Sequence, residues 1–211
     1  MSASCPLCNG KSYRFFENSK HSFNKCDVCR GIFRIKEQFL NIEEEKERYK
    51  NHISSLEDKG YYEFVSPIIK EVKSAFSKDS IGLDFGCGHT PVLSRHLEKS
   101  GFTVREFDPI FHNDASIFSK RYDFIVACEV IEHFYDPIKE FETLYKLLKP
   151  EGKLICKTHP YSFGIDFDTW YYKNDPSHVF IYQDETFKWI AQKLCFKSLI
   201  IKDRILVFTK K

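Results

Sequence analysis

The residues best equipped for chemistry fall into three groups. The first is a set of four cysteines, Cys5-x-x-Cys8 and Cys26-x-x-Cys29, the pairs seventeen residues apart and each followed by x-Gly (Asn9-Gly10, Arg30-Gly31). Twin Cys-x-x-Cys-x-Gly knuckles place four thiolates tetrahedrally around one ion, with the glycines easing the turn around the sulfurs. The set selects Zn2+, and because four protein ligands leave no open position, the ion would be structural. A disulfide reading would need an oxidising compartment, for which nothing in the sequence speaks.

The second group is Gly82-Leu83-Asp84-Phe85-Gly86-Cys87-Gly88-His89-Thr90-Pro91, an apolar run that ends in Asp-x-Gly-x-Gly and re-enters as a helical pattern (Val92, Leu93, His96, Leu97). A strand that stops at a glycine-lined turn lets backbone approach a ligand where a Cβ would collide. Asp84, at the strand's end, offers a carboxylate to a bound cation or amine. Twenty residues past Gly88 a second strand-like run (Thr103–Phe107) ends in Asp108, placed to accept bonds from ribose hydroxyls. The third group is two histidines. His133 follows Glu132 where a third strand gives way to the loop above the sheet. His178 sits in Asp175-Pro176-Ser177-His178, amid Trp170, Tyr171, Tyr172, Phe180 and Tyr182. Imidazoles titrate near neutrality, so His178 and His133 are the candidates for a general base or for positioning an acceptor.

Asp84-x-Gly86-x-Gly88, then Tyr122–Phe134 with its Cys128-Glu129-Val130-Ile131-Glu132-His133, then Leu147-Leu148-Lys149-Pro150-Glu151-Gly152, in this order, resemble the class I S-adenosylmethionine-dependent methyltransferases. The likeness covers roughly residues 40 to 211 and is nearest to small bacterial ubiquinone-type methylases. Arg48-Tyr49-x-x-His52 and Trp170-Tyr171-Tyr172-x-x-Asp175-Pro176-Ser177-His178 are similar to that group too. The resemblance implies S-adenosylmethionine held by Asp84, Gly86, Cys87, Gly88, Asp108 and Glu129, with Tyr49 and His52 over the cofactor. It also implies an α/β fold: a Rossmann-like, doubly wound, mostly parallel seven-stranded sheet with an antiparallel closing strand, plus the small N-terminal zinc ribbon. The residues agree with a sulfonium ligand. A dinucleotide site wants a third glycine to seat a pyrophosphate on a helix N-terminus, whereas this turn continues His89-Thr90-Pro91-Val92.

The chain has 211 residues and a net charge of +2, enough for one α/β core with a small appendage and no strong demand for an anionic partner. No apolar run reaches membrane-spanning length and no signal peptide is evident, which predicts a cytoplasmic protein. Three units are expected: a zinc ribbon over 1–36, a helical connector and cofactor lid over 37–80, and a methyltransferase core over 81–211. Strands are predicted at 81–86, 103–108, 123–129 and 153–159, helices at 92–100, 137–148 and 184–194, and a closing hairpin over 196–209. Asp136 is the expected N-cap of the helix from Pro137. The short span from Asp108 to Asp123 allows at most a degenerate strand. Cys128 reads as a buried hydrophobe, and the aromatics at 170–172 as packing rather than ligand contacts. The acceptor is expected to be a small or carrier-linked molecule, methylated at oxygen, nitrogen or carbon. RNA is the alternative partner, since the ribbon carries seven basic residues (Lys11, Arg14, Lys20, Lys25, Arg30, Arg34, Lys36) interleaved with aromatics. Oligomeric state is left open by the sequence.

Overall fold

The structure, a computed structural model, describes residues 3–50 and 58–211. Its centre is a six-stranded sheet built from β4 (Ile81–Phe85), β5 (Thr103–Phe107), β6 (Tyr122–Cys128), β7 (Leu148–Lys157), β9 (Ser198–Lys202) and β10 (Ile205–Thr209), in the order β5-β4-β6-β7-β10-β9. The first four run parallel, and β10 pairs antiparallel with both β7 and β9. The apolar runs of the middle strands follow from burial on both faces. Along β6, Phe124 and Val126 face helices α2 (Lys59–Ala75) and α3 (Val92–Lys99), while Ile125 and Ala127 face α4 (Pro137–Leu147) and α5 (Asp184–Lys193). Ile205 and Val207 of β10 join the first side, Leu206 and Phe208 the second.

Two expectations need adjustment. The sheet has six strands among the described residues rather than seven. Between β5 and β6 the chain forms a 3-10 turn, Ala115–Ser119, capped by Asp114 and burying only Ile117, so no second apolar row exists to pair. Asp136 stands at the N-cap of α4 without capping it; its carboxylate pairs with Lys139 at 2.7 Å.

The N-terminal strands β1 (Ser12–Glu17), β2 (Ser22–Cys26) and β3 (Ile32–Arg34) form an antiparallel sheet, and a two-residue strand, β8 (Phe180–Ile181), joins it at β3. The ribbon therefore completes its sheet with backbone from the long loop after β7. Helix α1 (Ile42–Lys50) follows the ribbon.

Candidate active site

At the carboxyl ends of β4 and β5 the chain makes a tight cradle. Gly86 has φ +77° and Gly88 φ +68°, conformations that L-residues seldom adopt, and a Cβ on Gly86 would come within 2.5 Å of the Val130 side chain. The Gly86 and Cys87 amides donate to the Phe107 carbonyl at 2.7 and 3.1 Å, locking the two strand ends together. Asp108 braces the same turn: one carboxylate oxygen accepts from the Gly88 amide at 3.1 Å, the other from Ile110 and Phe111 at 2.9 and 3.0 Å.

This cradle forms one wall of a cavity of about 690 Å3, well within the size of small-molecule sites, about 300–1,000 Å3. Gly86, Cys87, Gly88, Asp108, Glu129 and Tyr49 all line it, together with an apolar patch that includes Phe107, Ile110 and Phe118. Asp84 does not. It lies behind the wall, 3% exposed, accepting from the Ser94 amide near the start of α3 at 3.2 Å. Burial pushes its carboxyl up to about 7, with Glu106 and Asp108 adding repulsion. His52 lies outside the described residues.

Glu129 leaves the end of β6 in a left-handed conformation (φ 52°) that turns its side chain to the cavity wall. One oxygen accepts from the Tyr172 hydroxyl at 3.1 Å; the other, Oε1, is buried with no partner among the described residues. An orphaned buried acceptor is costly unless a ligand donor completes it. S-adenosylmethionine fits this wall: its ammonium is a donor of the kind Glu129 Oε1 lacks, Asp108 keeps lone pairs for ribose hydroxyls, and the apolar patch suits a planar base. The neighbouring Cys128 thiol is held well above its usual range, first by burial and then by the Glu129 charge, which disfavours the thiolate.

The far end of the cavity carries the two histidines, their rings 4.9 Å apart in an edge contact. His133 Nδ1 donates to the Ser177 carbonyl at 2.9 Å, and His178 Nδ1 to the Tyr172 carbonyl at 2.8 Å. A carbonyl only accepts, so each ring holds its hydrogen on Nδ1. Burial, then the neighbouring His178, holds the His133 pKa down at about 3. Burial lowers that of His178 as well, against the raising effect of Asp175. The Tyr49 hydroxyl sits 3.0 Å from His133 Nδ1, which puts Tyr49 against the acceptor-side histidine as well as over the cradle. Arg48 meets the Asp175 carboxylate at 2.5 Å. Burial opposes that charge, but His178 and the bonds from Ser177 and Arg48 outweigh it and bring Asp175 to about 2.

Three residues are placed more tellingly than the sequence reading had them. Glu132 is fully buried beneath His133; its oxygens accept from the Tyr172 hydroxyl and, at 3.1 Å, from Thr158. Burial, then repulsion from Glu129, raises its pKa well above the usual carboxylate range. Tyr172 thus joins both carboxyl groups, while Trp170 packs beside it with Phe23, Ile32, Phe167 and Ile181, as the packing reading expected. The i,i+3 spacing of Glu129 and Glu132 just past an apolar strand was the available signal. The third is Arg34 of β3, 2% exposed, whose guanidinium donates to the carbonyls of Lys173 and Asp175 at 2.9 Å and of His178 at 3.3 Å. Nothing local marks that residue.

In the ribbon, the Cys5 and Cys29 sulfurs lie 3.5 Å apart and those of Cys8 and Cys26 3.3 Å apart, all four within 4.8 Å of one another. Zn–S bonds of about 2.3 Å put tetrahedral sulfurs about 3.8 Å apart, so the set fits one zinc ion. Amides of Gly10 and Val28 donate to the Cys8 and Cys26 sulfurs at 3.4 and 3.3 Å. The left-handed turns fall on Asn9 (φ 57°) and Arg30 (φ 63°), not on the glycines. Gly31 is needed for proximity instead, since a Cβ there would lie 2.2 Å from the Phe180 ring of β8.

A doubly wound, mostly parallel sheet with a glycine cradle and an acid at its carboxyl edge is the arrangement of a class I S-adenosylmethionine-dependent methyltransferase. The comparisons agree. The profile of the family described as "Methyltransferase domain" matches residues 53–198, and the chain belongs to that family. The ubiquinone biosynthesis O-methyltransferase of Cereibacter sphaeroides is 30% identical over 101 residues, 46% of this chain and 40% of the relative. That of Actinobacillus pleuropneumoniae is 26% identical over 95 residues, 43% of this chain and 41% of the relative. The chain thus spans about two-fifths of the length of these curated relatives. Among solved structures, phosphoethanolamine N-methyltransferase 2 of Haemonchus contortus, in complex with S-adenosyl-L-methionine, superposes with a TM-score of 0.54 at 18% identity, over 67% of this chain and 38% of that one. A Thermotoga maritima S-adenosylmethionine-dependent methyltransferase gives 0.50 at 16% identity, over 81% and 96%. These likenesses concern the fold. No helix among the described residues is long and apolar enough to cross a membrane.

Proposed function

We propose that this chain transfers a methyl group from S-adenosylmethionine to a small or carrier-linked acceptor, at oxygen or nitrogen. One observation carries the reading: a single cavity runs from the Gly86–Gly88 cradle to His133 and His178. The donor supplies an electrophilic methyl, whose S–C bond breaks with its electron pair left on sulfur as the acceptor's lone pair takes the carbon and the acceptor's proton departs. Alignment and exclusion of water do much of this work. Gly86, Cys87, Gly88, Asp108 and Glu129 hold the donor, Asp84 supports the turn from behind, and Tyr49 closes over it with His133. The two neutral imidazoles stand where the acceptor must lose its proton.

Cys5, Cys8, Cys26 and Cys29 hold a structural zinc ion in this reading. The ribbon (1–36) then steadies the loop that bears His178, through β8 and Arg34, beside the connector (37–80) and the core (81–211). This use of the ribbon leaves little for nucleic acid. Arg34 is spent on carbonyls, Lys25 donates to Gln183, Arg14 pairs with Glu17, and Phe15, Phe16 and Phe23 pack against Phe167.

Purified protein supplied with methyl-labelled donor in cell extract, with and without ribonuclease, tests the reading. Nuclease-resistant label in low-mass material is expected, falling about 100-fold or more in His178→Ala while donor affinity is kept. Label that disappears with ribonuclease would move the activity to RNA. Undiminished transfer in His178→Ala would remove that histidine from the reaction.

A further inference from the structure

We infer that Glu132, His133 and His178 form a second metal site, for a first-row divalent transition ion, whose open position takes an acceptor oxygen at the far end of the cavity. One carboxylate oxygen and one ring nitrogen from each histidine lie within 4.8 Å of one another. Metal-bound histidines characteristically donate their other ring N–H to a carbonyl or carboxylate, which fixes the tautomer and the ring plane. Both histidines do so here, to Ser177 and Tyr172, and this leaves each Nε2 with its lone pair. Among the described residues neither Nε2 makes a hydrogen bond; that of His178 has only Asp175 at 3.9 Å.

Glu132 is held as a second ligand shell would hold it. Tyr172 and Thr158 hydroxyls bond its two oxygens and fix the carboxylate, each oxygen retaining a lone pair. The backbone is tied across the same point, since the Val179 amide donates to the Glu132 carbonyl at 3.0 Å. Glu129, bonded to the same Tyr172 hydroxyl, adds a second buried carboxyl group nearby that a cation would balance.

Two imidazoles and one carboxylate select Mn2+, Fe2+, Co2+ or Zn2+ over Mg2+ or Ca2+, which take oxygen ligands, and three protein ligands leave at least one position open. His133 and His178 line the cavity and Glu132 lies behind them, so an ion held by the three would sit at the cavity wall, within reach of an acceptor at that end. This favours an acceptor that presents a hydroxyl: ligation lowers the pKa of a bound oxygen, easing the loss of its proton to water before the oxygen takes the methyl. The inference rests on the methyl-transfer reading for its purpose, though not for its test.

The test titrates Mn2+ into protein carrying one zinc ion per chain, the ribbon filled and all further zinc removed, and follows the loss of the free aqua-ion signal by electron paramagnetic resonance. The four-thiolate ribbon, soft and already filled, does not compete for Mn2+. Wild-type protein is expected to bind one Mn2+ per chain, with affinity falling at least tenfold in His178→Ala and in Glu132→Gln. Calorimetric titration of S-adenosylmethionine into the same preparations reports whether each variant is folded and whether the donor binds. No Mn2+ bound by the wild type, or equal Mn2+ affinity in both variants, would overturn the metal site. In that case retained donor binding would leave the methyl-transfer reading standing. Mn2+ bound as expected in protein that ignores the donor would do the reverse.

Discussion

The two clusters able to hold a metal differ in almost every respect. The cysteine set is local: two knuckles meet across a short hairpin, four sulfurs would close the coordination sphere of one ion, and amides of the knuckles bond the sulfurs. The histidine set is assembled from the turn after β6 and the loop before β8, keeps fewer ligands, and opens into the cavity. A closed set made by sequence neighbours suits a fastener, and an open set made by distant segments suits work on a substrate. Yet they are mechanically joined. β8 pairs with β3 of the ribbon immediately after His178, and Arg34 of β3 grips the three carbonyls around it. The fastener thus holds the working loop.

Removing the fastener carries the largest expected effect. Structural zinc contributes apparent folding energies of about 10–16 kcal/mol in isolated zinc-finger peptides, far more than this ribbon's small core can replace. Cys26→Ser is expected to lose bound zinc, to unfold the ribbon in an early separate transition, and to weaken Mn2+ binding at the histidine set. Metal analysis and thermal melting measure the first two, the resonance titration the third. Zinc content lost without any change in Mn2+ affinity would show the two clusters to be independent.

A smaller and sharper effect is expected at the grip itself. Arg34→Met keeps apolar bulk but removes the bonds to Lys173, Asp175 and His178. Hydrogen bonds to charged groups contribute about 1.5–3 kcal/mol, so a stability loss of that order is expected in denaturant unfolding. Zinc should remain at full stoichiometry while Mn2+ affinity and methyl transfer fall together. If zinc is lost along with them, Arg34 serves the ribbon's own fold instead of the loop's position.

The difference between the clusters is also a difference in legibility. Cys-x-x-Cys spacing carries its geometry within a few residues, so the four ligands could be read directly. The cradle was readable for a similar reason: Gly86 and Gly88 mark positive φ, and β6 and the second half of β7 are apolar because both their faces are covered. The acceptor end was readable only in part. His133 and His178 drew notice as isolated histidines beside a sheet edge, but Glu132 was read only as part of the strand end and given no role of its own; what sets it apart is that Tyr172 and Thr158 close over it. β8, two residues long, has no periodicity to detect, and Arg34 looked like one more surface cation among the ribbon's basic residues. Asp84 shows the converse. Its motif announced a ligand contact, and the fold uses it behind the wall, against α3.

All of this depends on the cavity beside Gly86 being the donor's site. Calorimetric titration of S-adenosylmethionine into wild-type protein and Gly86→Val tests it most directly, because valine would require a left-handed backbone and would collide with Val130. Saturable one-to-one binding by the wild type, lost in a folded Gly86→Val, is the expected result. Folded wild-type protein that takes up no donor, or equal affinity in the two proteins, would contradict the account.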